Sequence, residues 1–139
     1  MSGILLDTCA LLWLFGNGQL LEPGRTAVAI AADDYDLAIS AVSAWEIALL
    51  CRPGRRDPLN LAAPPEVWFA NILAEPGIRY LPLEAGSAIR SSSLPAPLHD
   101  DPADRMLIAT ARDNNLVLAT RDARILDYAA LGHVRAIAC

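Results

Sequence analysis

The chain has 139 residues, 54% of them hydrophobic and 19% charged, which is enough apolar mass for one core and too much for disorder. A net charge of −5 and a pI near 4.8 exclude a protein that coats nucleic acid through bulk charge, and a basic site has to be built from arginine because lysine is absent. Three scattered cysteines and two histidines (His99 and His133) offer no zinc set, and no apolar stretch is long enough to span a bilayer. Asp7 interrupts the first apolar run, which argues against a signal peptide, so free thiols in the reducing cytoplasm are expected.

In chain order, Ile4–Leu6 predicts a short buried strand and Thr8–Phe15 a helix closed by Gly16-Asn17-Gly18. A second helix is expected over 23–33, a strand over Leu37–Ser40 and a third helix over Ala41–Leu50. Residues 52–58 read as a loop, and Pro64-Pro65 opens a helix through Trp68, Phe69 and Leu73 that Pro76-Gly77 ends. A strand over 78–83 and a helix over 84–93 follow, then a proline-bearing linker over 94–98. Asp101 is a good N-cap, Pro102 fits the first helical position, and Asp104 falls in the first turn, where the helix dipole favours a negative charge. Asn114-Asn115 stops that helix; a strand over 116–119, a helix over 123–128 and a strand over 134–137 complete the chain. Strands alternating with helices predict a single α/β domain over residues 1–139, with a mostly parallel central sheet flanked by helices. The order of the strands is not readable from the pattern.

In an open parallel sheet, sites form beyond the carboxyl ends of the strands. Asp7 ends the first strand, Asp122 follows the 116–119 strand after Thr120 and Arg121, and Asp104 opens the helix before that strand. Glu46 lies on the third helix among Val42, Leu49 and Leu50, off any clean solvated face. Each acid also has a local reading. Asp7 and Asp122 can cap the helices after them, and Ser43 with Glu46 matches a capping box. Taken together, four carboxylates near one sheet edge repel unless a cation neutralises them or some stay protonated. Hard oxygen donors suit Mg²⁺ or Mn²⁺, and such an ion is suited to hydrolysing a phosphodiester.

Four stretches carry a resemblance: Leu5-Leu6-Asp7-Thr8, Ser40-Ala41-Val42-Ser43-Ala44-Trp45-Glu46-Ile47, Asp101-Pro102-Ala103-Asp104-Arg105-Met106-Leu107-Ile108-Ala109 and Ala119-Thr120-Arg121-Asp122. Together they resemble the PIN-domain nucleases, in particular the VapC-type toxins of bacterial type II toxin–antitoxin modules. The resemblance implies a three-layer PIN-like fold and a metal-dependent endoribonuclease, with water as nucleophile and a 3′-hydroxyl as leaving group. It makes Asp7 and Asp104 the main ligands of Mg²⁺ or Mn²⁺, with Glu46 and Asp122 completing the catalytic acidic site. Thr8, Asp101 and Thr120 take supporting places, Asp101 as a cap and Thr120 as a polar residue that orients a water. A homodimer and a hetero-oligomer with a cognate antitoxin are implied as well. The chain departs from the family pattern at Ala103, where a bulky residue is common, and at Asp100, where a basic residue is frequent.

RNA has to be held by something positive. Arg52, Arg55 and Arg56 form the densest basic cluster and are candidate RNA contacts, the alternative being a solvated charged loop. Arg105, Arg121 and Arg124 lie beside the proposed ligands in sequence, with Arg105 a candidate partner for an acid of the site. Trp13, Trp45 and Trp68 sit in apolar helical patterns and read as core or dimer interface. A haloacid-dehalogenase-type phosphatase wants an aspartate where Cys9 stands, and a receiver domain needs a lysine. No glycine-rich phosphate cradle is present. The remaining alternative is a catalytically silent PIN-like module that binds a partner or RNA.

Overall fold

A computed structural model describes residues 3–139. Its strands are β1 (Ile4–Leu6), β2 (Leu37–Ser40), β3 (Ile78–Leu81), β4 (Val117–Thr120) and β5 (Ala136–Ala138). Its helices are α1 (Thr8–Phe15), α2 (Gly24–Asp33), α3 (Ala41–Leu50), α4 (Pro65–Leu73), α5 (Ala85–Arg90), α6 (Pro102–Asp113) and α7 (Ala123–Ala130), with a 3₁₀ turn over Ser91–Ser93. The strands pair in the order β3-β2-β1-β4-β5, every pair parallel.

Residues of the central strands alternate between two apolar layers, as the two-residue period of a pleated strand requires. Ile4, Leu6, Leu37, Ile39 and Ala119 pack with Leu11, Val28 and Phe69 of α1, α2 and α4. Leu5, Ala38 and Leu118 pack on the opposite side with Leu107, Ile108, Ile125 and Tyr128 of α6 and α7. Helix α3 bridges the layers, with Ile47 in the first and Val42 in the second. Both sheet faces are therefore covered, which is why these short strands read as unbroken apolar runs.

Several boundaries differ from the sequence expectation. β3 stops at Leu81 because Pro82 cannot donate to a ladder. The helix expected over 84–93 is α5 followed by a 3₁₀ turn. β4 lies one residue later than expected, its register set by pairing with β1 through Leu6 and Ala119. β5 likewise starts later, at Ala136, where β4 pairs with it. The sheet is parallel throughout rather than mostly so.

The chain builds β1, β2 and β3 outward in one direction, then crosses to the other side of β1 for β4 and β5. That reversal puts a crevice between the carboxyl ends of β1 and β4, the position at which open α/β sheets bind ligands. Helix α6 packs against this region, and its Arg105 fixes the linker before it. Arg105 Nε donates to the Ser91 carbonyl (2.9 Å), and Nη1 donates to the carbonyls of His99 (3.1 Å) and Leu98 (3.4 Å). The Tyr128 hydroxyl donates to the Pro95 carbonyl at 2.8 Å and holds the same linker from α7.

Replacing Arg105 by methionine keeps much of the buried stem and removes these charged hydrogen bonds. The expected result is a loss of about 2 kcal/mol in urea unfolding, with faster amide exchange over residues 91–99 than in the sheet.

Candidate active site

The carboxyl ends of β1 and β4, with α3 and α6, bring the four acids selected from the sequence to one cavity of about 450 Å³. It is lined by Asp7, Glu46, Asp104 and Asp122 together with Thr8, Cys9, Trp13, Leu50 and Arg121. A cavity of similar size, about 440 Å³, lies across α1, α2 and β3, and its lining is chiefly apolar, including Leu14, Val28 and Ile78. The first gathers four carboxylates, whereas the second carries Glu75 and Arg25 among its apolar lining.

Asp7 is buried, with 6% of its surface exposed, and its Oδ1 accepts from the Ala10 amide at 2.8 Å. It is thus the N-cap of α1 and a wall of the cavity at once. Asp122 caps α7 in the same way, accepting from the Arg124 amide at 2.8 Å. Asp101 caps α6 as expected, accepting from the Asp104 amide at 3.0 Å, and stays exposed. The alternative reading of Ser43 and Glu46 as a capping box, which needs a late start to α3, is not realised. Ser40 ends β2 in extended geometry and accepts from the Val42 amide at 3.0 Å, so α3 starts at Ala41. Ser43 is left buried inside the helix, hydrogen-bonded to the Thr8 hydroxyl at 3.1 Å. Glu46, one turn further along, reaches the cavity as a side chain free of any capping duty.

Burial and crowding shift these carboxyls in different directions. Asp7 is pushed up to about 6, chiefly by burial; the charges of Asp104 and Glu46 add to this, and the Thr120 hydroxyl and Ala10 amide work against it. Burial also raises Glu46, opposed by a hydrogen bond from Thr8 and helped by the charges of Asp104 and Asp101. Asp104 is raised by burial as well, opposed by its bond to His99. Asp122 goes the other way, held low by the Arg124 guanidinium, whose Nη2 lies 2.8 Å from its Oδ2. Cys9, on the same cavity, has its thiol pushed up to about 11 by burial and the surrounding acids, so it is not a nucleophile at neutral pH.

Thr120 is fully buried, and its Oγ1 accepts from the Asp122 amide at 3.1 Å while its hydroxyl bonds to Asp7. It joins the two strand-end acids rather than standing free to orient a water. His99 is the residue that sequence reasoning passed over. Its Nε2 lies 2.7 Å from Asp104 Oδ2, and one donor atom each from His99, Asp104 and Asp122 fall within 4.8 Å of one another. A carboxylate partner at Nε2 puts the proton of a neutral ring there, which leaves Nδ1 as a bare acceptor; Nδ1 is buried with no partner among the described residues. The signal was close by, five residues before Asp104. What the sequence lacked was the fold-back of the linker that Arg105 imposes.

The arginines separate by partner. Arg124 Nη2 lies 2.8 Å from Asp122 and 3.7 Å from Asp104. Arg105 points away from the acids of the cavity, onto carbonyls, and its nearest carboxylate is the exposed Asp100 at 4.0 Å. Arg52, Arg55 and Arg56 stand exposed past the end of α3, Arg52 and Arg55 lining a separate cavity with Leu49. Of the tryptophans, Trp68 is core, Trp45 is 49% exposed, and Trp13 is partly buried, packed against the first apolar layer while also lining the acidic cavity.

A family model for the PIN domain matches residues 4–131. Ribonuclease VapC22 of Mycobacterium tuberculosis is 32% identical over 128 residues, covering 92% of this chain and 93% of that protein. The solved structure of VapBC2 from Rickettsia felis bound to a promoter DNA fragment superposes with a TM-score of 0.66 at 12% identity, over 97% of both chains. DNA-bound VapBC from Salmonella typhimurium superposes with a TM-score of 0.64 at 19% identity, over 99% of this chain and 98% of that one.

Because the folded state raises the Asp7 carboxyl from 3.8 to about 6, it binds a proton there more tightly than the unfolded chain does. Stability of the metal-free protein therefore falls as pH rises through that window. In EDTA at pH 7, Asp7→Asn, which retains a good N-cap, is expected to be more stable than wild type by on the order of 2 kcal/mol in urea unfolding. The difference should close as pH falls from 6 towards 4, where wild-type Asp7 takes up its proton.

Proposed function

This chain belongs to the PIN-domain family, and on that premise we propose that it is a divalent-metal-dependent endoribonuclease, the toxin of a toxin–antitoxin pair. The observation that carries the reading is the convergence of Asp7, Glu46, Asp104 and Asp122 on one cavity at the switch point of the sheet. Similarity to a ribonuclease over nearly the whole chain supports the reaction class, and similarity of fold to the VapBC structures supports a protein antitoxin as partner. A homodimer working in the cytoplasm, with Cys9, Cys51 and Cys139 as free thiols, completes the proposal.

The donor set fits a hard divalent cation. All four acids present oxygen, and three of them, Asp7, Glu46 and Asp104, are raised by burial with too little positive charge nearby to offset it. Asp7 and Asp104 would hold the ion, and Asp122 would complete its surroundings. A divalent cation held there, Mg²⁺ or Mn²⁺, supplies Lewis-acid charge against the phosphate oxygens and acidifies the attacking water. His99 fixes one oxygen of Asp104 by its 2.7 Å bond, leaving the other free to face the cavity. Glu46 is better suited than Asp122 to take the proton of the water. Its carboxyl is raised towards neutrality, whereas Asp122 is held low by Arg124. The water oxygen bonds to phosphorus, the phosphorus–3′-oxygen bond breaks, and the departing oxygen regains a proton to give a 3′-hydroxyl and a 5′-phosphate.

The test is cleavage of a mixed RNA pool by purified protein in Mg²⁺ or Mn²⁺. Cleavage should disappear in EDTA and fall in Asp104→Asn by more than the roughly 10–100-fold typical of outer hydrogen-bond partners. A folded protein that neither cuts RNA nor binds metal would instead be a silent partner-binding module. His99→Ala should weaken Mn²⁺ binding, measured by calorimetry, by about 10-fold, while His99→Gln, which keeps a donor near Nε2, should recover most of that loss.

A further inference from the structure

An RNA strand drawn into a cavity walled by carboxylates needs a cation there to offset the repulsion between its phosphates and those walls. Among the described residues, Arg121 is the one basic side chain that lines the cavity. It differs from its neighbours in what it touches. Arg124 is drawn onto Asp122 and Asp104, and Arg25, Arg79 and Arg90 are paired with Glu22, Asp36 and Asp113. Among the described residues, Arg121 has no ion pair with an Asp or Glu side chain. Its partners lie away from the acids of the cavity: Nη2 donates to the main-chain oxygens of Cys139 (2.6 Å) and Gln19 (3.2 Å), and the guanidinium carbon lies 3.7 Å from the Trp13 ring centroid.

We propose that Arg121, laid on Trp13 and tied by one amino group, holds a backbone phosphate of the RNA next to the scissile one. This rests on the ribonuclease reading and extends it to the substrate contact. A guanidinium so close to carboxylates would ordinarily fold onto one of them. The ring face and the two main-chain oxygens hold it back and leave it little freedom to lose when a ligand arrives. Both bonds use the two N–H groups of Nη2, so Nη1 keeps two N–H donors and Nε keeps one for a phosphate oxygen. Trp13, expected to be core or interface, thereby has a reason to lie at the rim of an acidic cavity.

The experiment is the salt dependence of kcat/KM for cleavage of a short single-stranded RNA by wild type, Arg121→Gln and Arg121→Lys at fixed Mn²⁺, with melting temperatures alongside. Loss of one phosphate contact should make the slope of log(kcat/KM) against log[salt] shallower by about 0.7 in the Gln variant, and Arg121→Lys, which keeps the charge, should restore it. Identical slopes for wild type and the Gln variant would overturn the proposal, since a mere tether of residue 139 would lower the melting temperature and leave the slope alone. A second measurement needs no change at Arg121. Phenylglyoxal modification of Arg121 in the Asp104→Asn protein, read as lost tryptic cleavage there, should slow when RNA is added, and an unchanged rate would equally overturn the proposal. Wild type that cuts no RNA overturns the ribonuclease reading and this inference with it, whereas wild type that cuts RNA with the Arg121 results negative overturns this inference alone.

Discussion

Negative charge crowded at the carboxyl edge of a parallel sheet is the constraint that shapes this molecule. Four acids that would separate in water are kept together because their backbones belong to elements packed on both faces of the sheet. Asp7 and Asp122 end neighbouring strands, while Glu46 and Asp104 are brought in by helices α3 and α6. What offsets the charge is local and incomplete: amides at two helix starts, the hydroxyls of Thr8 and Thr120, the His99 ring and the Arg124 guanidinium. The imbalance left over is visible in the upward shifts of Asp7, Glu46 and Asp104, and it makes the cavity a receptor for added positive charge.

Helix capping and site formation turn out to be compatible duties. A carboxylate has two oxygens and several lone pairs, so Asp7 can satisfy the Ala10 amide through Oδ1 and still line the cavity. Capping also stiffens the site. An acid whose rotamer is set by a backbone N–H loses less freedom on binding a ligand than one on a loose surface chain. Asp101 and Asp104 divide these duties between two residues. The first caps α6 and stays exposed, and the second, one turn inside, faces the cavity under the hold of His99.

Most of the scaffold was legible in the sequence because its signals are local. β1, α1, β2 and α3 begin and end where apolar run, cap and glycine stop say they should. Strand order was not legible, since short buried runs such as Leu5-Leu6 and Leu118-Ala119 carry no mark of their neighbours. The acids of the cavity were found by their place at strand ends and by family likeness. His99 was missed because its role depends on a linker folded back by Arg105 and Tyr128, contacts made across the fold. The start of α3 at Ala41 was legible, and the alternative capping box of Ser43 and Glu46 is excluded for a local reason, in that Ser40 sits one turn earlier and caps first. Trp13 read as core because its helix is apolar on nearly every side, and it does pack against the first apolar layer; what the sequence did not carry is the tertiary placement of Arg121 over its ring.

The most direct measurement of whether the crowded acids form a cation site is calorimetric titration of metal-free protein with Mn²⁺ in two buffers of different ionisation enthalpy, at pH 6 and pH 7.5. If Asp7, Glu46 and Asp104 together receive the ion, binding is saturable, and at pH 6 it releases the proton that Asp7 had in part retained. That release should shrink at pH 7.5, where Asp7 is already ionised. Saturable binding with no proton release at pH 6, or no binding by a folded protein, would contradict a metal site at these acids.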